Sequence, residues 1–155
     1  MNRTKSRVEL EARTMAFGLN TLKVLRELPA GVEFKGIRRQ LTHAATSIGS
    51  FYREANRAES RMDYLNRIVA AQKEVVAAEY WLGLIKGLHS DIPGVDAAYD
   101  EAAELLELFD QIRRAAEKSH AAAERSLRAH GHAGRSGKFS HPDIRQCHPA
   151  VHAND

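Results

Sequence analysis

The chain has 155 residues, the length of a single domain, and its 23 Lys+Arg against 20 Asp+Glu leave a formal net charge of only +3 with histidine neutral. Its 43% hydrophobic and 28% charged content is an ordinary globular balance, which excludes a wholly disordered chain. One cysteine, Cys147, excludes a disulfide framework and a multi-cysteine zinc site and suits a reducing compartment.

No apolar run approaches the ~18 residues of a membrane span. The N-terminal MNRTKSRVELEAR lacks the apolar core of a secretory signal. These features imply a cytoplasmic domain with no membrane association.

The four prolines, Pro29, Pro93, Pro142 and Pro149, all lie outside the long periodic segments, and Gly49 is the one glycine between Ile37 and Leu82. Such a breaker-poor stretch is helical by propensity, and the 24 alanines reinforce this. No run alternates with period two and no Asn-Gly or Asp-Gly turn occurs, so strand signals are absent.

The first predicted helix covers roughly residues 6–28, with Leu10, Phe17, Leu22, Val24, Leu25 and Leu28 on its apolar side. PAGVEFKG forms the first loop. The second helix starts near Gly36 and carries Ile37, Leu41, Ala44, Ala45, Ile48, Tyr52 and Ala55 at helical spacing.

The third begins near Ser60, where Asp63 three residues on gives a capping-box-like start. Its buried side is predicted to hold Tyr64 or Leu65, then Ile68, Val69, Val75, Val76, Leu82 and Ile85. Tyr80 and Trp81 are ~100° apart on the helix, so one is expected in the core and the other at an interface. After the loop GLHSDIPG, the fourth helix runs from about Val95 into the 120s through Tyr99, Ala102, Leu105, Leu106, Phe109, Ile112 and Ala116.

Long helices on short connections pack antiparallel with their neighbours. The expected fold is therefore all-α, an up-down-up-down four-helix bundle over residues 1–130. Residues 131–155, rich in His, Gly and Pro, are expected to be a flexible tail.

Charge divides the chain. Residues 1–61 hold 12 Lys+Arg and 6 Asp+Glu, a balance of +6; residues 62–120 hold 6 and 11, a balance of −5. Lys35, Arg38, Arg39, Arg53, Arg57 and Arg61 lie in or beside the second helix; Asp100, Glu101, Glu104, Glu107 and Asp110 lie on the fourth, where they are expected to face solvent.

Three readings stay open. Opposite signs pair inside one bundle, the basic face binds nucleic-acid phosphates, or basic and acidic faces of different subunits meet in a ring.

Sites for chemistry are sparse. A di-iron bundle needs two Glu-x-x-His motifs; this chain has one, Glu117 and His120, while His43 follows Gln40 instead. His130, His132 and the later histidines define no ordered site, and Cys147 has no base nearby in sequence. There is no phosphate loop, dinucleotide fingerprint or nucleophile elbow. Neither a catalytic centre nor a cofactor nor a metal is expected.

A set of short motifs recurs in order: Gln40 and Leu41 on the second helix, then Ser47, Ile48 and Gly49, then Tyr52, Glu54 and Ala55. Ser60 and Asp63 follow at the head of the third helix, then Lys73 and Glu74, and finally Tyr80, Trp81 and Leu82. In this order and spacing the chain, over about residues 10–118, resembles the bacterial four-helix-bundle family often called the 23S rRNA intervening-sequence proteins.

There are two departures from the pattern. Ser50 and Phe51 stand where the family has Ala-Asn, and Ala77 replaces a commonly acidic residue.

The resemblance implies a barrel-shaped homopentamer with no catalytic residues. It also implies kinship with the accessory variability determinant of diversity-generating retroelements, a basic pentamer that binds nucleic acid and a reverse transcriptase. The resulting expectation is a non-enzymatic homo-oligomer that binds RNA, DNA or a nucleoprotein partner through the six cations named above. The alternative is a protein-interaction scaffold whose charged faces serve subunit contacts alone.

Overall fold

The computed structural model describes residues 3–129; the predicted tail over 131–155 lies outside them. Four helices follow one another: α1 (Arg3–Glu27), α2 (Val32–Ala55), α3 (Arg61–Leu88) and α4 (Val95–Ala129). Chain neighbours pack antiparallel and α1 closes the ring against α4, giving an all-α four-helix bundle with α1 and α3 diagonally opposite. None of the described helices is long and apolar enough to cross a membrane.

The core is built from stripes at helical spacing. On α2 these are Phe34, Leu41, Ala44, Ala45, Ile48, Tyr52 and Ala55; on α4, Ala102, Leu105, Leu108, Phe109, Ile112 and Ala116 line up with Val95 and Ala98. Tyr52 meets Phe109 edge-on across the centre, with ring centroids 5.8 Å apart. Full burial of each such large side chain contributes about 1.5–3 kcal/mol.

On α1 the buried row is Leu10, Thr14, Phe17, Thr21, Val24 and Leu28, a four-three alternation that keeps one seam toward its neighbours. The two threonines escape a hydrophobicity reading because they are polar by type. Thr14 satisfies its hydroxyl locally, donating to the Glu11 carbonyl at 3.1 Å.

Two sequence expectations change and one open alternative is resolved. Helix α2 begins at Val32 rather than near Gly36, because Glu33 suits the unsatisfied amides of a first turn and Phe34 already reaches the core. Gly36 is an isolated helical glycine, not a breaker. Val76, expected inside, is 49% exposed. Of Tyr64 and Leu65, the tyrosine is buried and the leucine packs at the margin.

Two glycines set close geometry. Gly94 has φ +82°, the left-handed region that favours glycine, and turns the chain into α4. Gly49 lets α2 approach α1, since a Cβ there would stand 3.3 Å from Thr14 Oγ1.

Candidate nucleic-acid interface

The six cations singled out in the sequence do not share one environment. Arg38 turns back over the loop between α1 and α2. Its Nη1 donates to the Leu25 carbonyl, and its Nη2 donates to the Leu28 carbonyl at 2.6 Å and the Pro29 carbonyl at 3.2 Å. The last carbonyls of a helix lack partners within it, and a cation there also suits the negative end of the dipole. The guanidinium of Arg38 is thus a C-terminal clamp on α1, and it is withdrawn from the set that can face a phosphate.

Arg53 lies beside Glu11 of α1, with Nε 3.5 Å from Oε2. The side chains of Lys35, Arg39, Arg57 and Arg61 have no ion-pair or hydrogen-bond partner among the described residues. Lys35, Arg39 and Arg53 follow one exposed side of α2, about 27 Å from first to last at 1.5 Å per residue. Arg57 and Arg61 extend this row into the corner between α2 and α3.

The opposite charges of the two chain halves neutralise each other only locally. Arg13 on α1 donates to Glu101 at 2.7 and 3.0 Å and also to Glu104, both on α4. The Glu101 hydrogen bond holds the guanidinium pKa above its ordinary value, against the lowering effect of burial. Glu101 and Glu104, expected to face solvent, therefore serve the α1–α4 seam. Of the six candidate cations only Arg53 faces a carboxylate, and that one belongs to α1 rather than to the acidic half.

Further along α4, Asp110 is offset within the helix. Asp110 accepts from Arg113 at 2.8 Å and pairs with Arg114 at 2.7 Å; the Arg113 hydrogen bond holds its carboxyl below the usual carboxylate range.

The motif residues divide into scaffold and surface. Ser60 caps α3, its hydroxyl accepting from the Asp63 N–H at 3.0 Å. The Asp63 carboxylate faces Arg67 at 3.4 Å, and Arg67 also holds Glu54 of α2, so three motif residues fasten the α2–α3 corner. Glu74 lies 3.8 Å from His43. Tyr52 is fully buried, and burial pushes its phenol up to about 12.

Trp81 packs against the core while its neighbour Tyr80 is 59% exposed; their rings meet edge-on, 5.0 Å apart. Gln40 and Lys73 are exposed and Ser47 is half-buried.

Sequence reasoning missed a groove of about 400 Å³ between α1 and α2, walled by Met15, Leu19 and Leu22 and ending at Arg53 and Arg57. Its signal lies in a second apolar periodicity on α1, masked by the stronger buried one.

Among the described residues no group of three or more His, Cys, Asp or Glu side chains could hold a metal ion. Glu117 accepts from Arg113 at 2.6 Å and His120 lies 3.5 Å from Glu124. Cys147 and the histidines from His130 onward lie outside the described residues.

No family model matches the chain, and no curated protein matches it. Among solved structures it is similar to a protein of unknown function from the S23 ribosomal protein family of Bacteroides thetaiotaomicron. The two share 25% identity and a TM-score of 0.57, over 66% of this chain and 96% of that one.

Proposed function

We propose that this chain is a cytoplasmic, non-enzymatic helical bundle that assembles with copies of itself and holds nucleic-acid phosphates along α2 and the α2–α3 corner. The subunit number implied by the family resemblance is five. The observation that carries the phosphate reading is the row of cations without carboxylate partners: Lys35, Arg39, Arg57 and Arg61. Cations already paired inside a bundle gain little from a phosphate; unpaired ones release counterions when they meet it. The likeness to a chain of the S23 ribosomal protein family, itself of unknown function, supports a role beside RNA.

The test is binding of a short RNA duplex across a salt series, with the intact protein and with a triple variant, Arg39→Glu, Arg57→Glu and Arg61→Glu. Affinity is expected to fall while helicity is kept. The slope of log affinity against log salt is expected to flatten by about one unit per lost contact. Unchanged affinity in the folded variant overturns the assignment. The scaffold alternative draws its support from the exposed apolar side chains of α1 and α3; a stable oligomer indifferent to RNA at every salt would favour it.

A further inference from the structure

The groove between α1 and α2 has a floor of backbone and small side chains. A Cβ on Gly18 of α1 would stand 3.2 Å from the Ala45 carbonyl oxygen, and one on Gly49 of α2 would stand 3.3 Å from Thr14 Oγ1. At these two crossings the helices leave little room for a side chain between them. Longer side chains rise on either side, Met15, Leu19 and Leu22 from α1 and Thr46 and Ser50 from α2.

The trough is apolar at one end and cationic at the other. Antiparallel packing sets Gly18 by Ala45, Thr14 by Gly49 and Glu11 by Arg53. Leu22 and Leu19 therefore stand at one end, Met15 in the middle, and Arg53 and Arg57 at the other end. Ala45 to Arg53 spans about 12 Å at 1.5 Å per residue. Met15 is 48% and Leu19 55% exposed, so nothing among the described residues covers the apolar wall.

The charge at the cationic end comes close to one unpaired positive unit. Glu54 is the one carboxylate in the lining, and it already accepts from Arg67 and from the Ser50 hydroxyl. Arg53 lies 3.5 Å from Glu11. The Arg57 side chain has no ion-pair or hydrogen-bond partner among the described residues.

We propose that this groove binds a free single-chain fatty acid. The alkyl chain lies along the floor against Met15, Leu19 and Leu22, and the carboxylate sits at Arg57 and Arg53. A planar carboxylate accepts two parallel N–H bonds from a guanidinium, and a monoanion matches the one unpaired cation. A volume of about 400 Å³ is that of a small-molecule site. A partner helix, about 10–12 Å across, would ride on the rims of the trough, whereas one extended chain reaches its floor. This goes beyond the nucleic-acid reading and does not rest on it, although both use Arg57.

Calorimetric titration of the full chain with decanoate tests the site, with 1-decanol as the probe lacking the charge and acetate as the probe lacking the chain. One decanoate per chain is expected, bound at least about tenfold more tightly than decanol, and no binding of acetate. With ¹³C-labelled methionine methyls, decanoate is expected to shift the Met15 signal and leave that of Met62 on α3 in place. Thr46→Trp fills the trough from an exposed wall position and is expected to abolish decanoate binding. Arg57→Gln is expected to reduce the affinity for decanoate to that for decanol. Far-UV circular dichroism checks that both variants keep their helices, and the probe comparison and methyl shifts need only the intact chain.

Absence of decanoate binding, equal affinity for decanoate and decanol, or uptake of many decanoates per chain regardless of either substitution overturns the proposal. If the intact chain binds no decanoate and Thr46→Trp lowers its mass in light scattering, the groove belongs to a second copy instead.

Discussion

The role of an arginine is set by what its guanidinium already holds. Arg38 and Arg39 are adjacent in the chain, yet one clamps three carbonyls at the end of α1 and the other is exposed without a partner. Hydrogen bonds from a charged donor contribute about 1.5–3 kcal/mol, so Arg38→Ala is expected to lower unfolding free energy by about that amount in urea titration. Arg39→Ala is expected to change it by less than about 0.5 kcal/mol.

Equal effects at the two positions would contradict the clamp. In the sequence the six cations look alike. What separates Arg38 is a turn geometry that places it over residues 25–29, a non-local fact that no local pattern carries.

At the scale of elements, the four helices and most of their buried faces were legible because apolar spacing and the positions of proline record them directly. The third helix shows how far this goes. Ser60 was readable as its cap and the hydroxyl does accept the Asp63 N–H at 3.0 Å. The Asp63 side chain, however, turns to Arg67 instead of completing a reciprocal box.

Ser60→Ala is expected to cost about 1 kcal/mol, measured by thermal or urea unfolding; a loss under about 0.3 kcal/mol would show that solvent replaces the hydroxyl. The same helix misled the reading at Val76. Two apolar stripes share α3, and periodicity alone does not say which belongs to the core. Thr14 and Thr21 are the converse case, polar side chains whose positions in the α1 seam outweigh their type.

For the whole molecule, the division between a basic and an acidic half was visible in the sequence, but its meaning was not. Internal pairing accounts for Arg13 with Glu101 and Glu104 and leaves the row from Lys35 to Arg61 facing outward, with Arg53 alone beside a carboxylate. Apolar side chains exposed on α3 supply the second half of the argument, since charge directs an encounter while apolar burial holds it.

Light scattering coupled to size exclusion, at low and moderate salt with and without a short RNA duplex, tests both halves at once. The expected result is a mass of about 87 kDa, five times 17.3 kDa, that co-elutes with RNA at low salt and releases it as salt rises. A 17.3 kDa species that ignores RNA at every salt would contradict it.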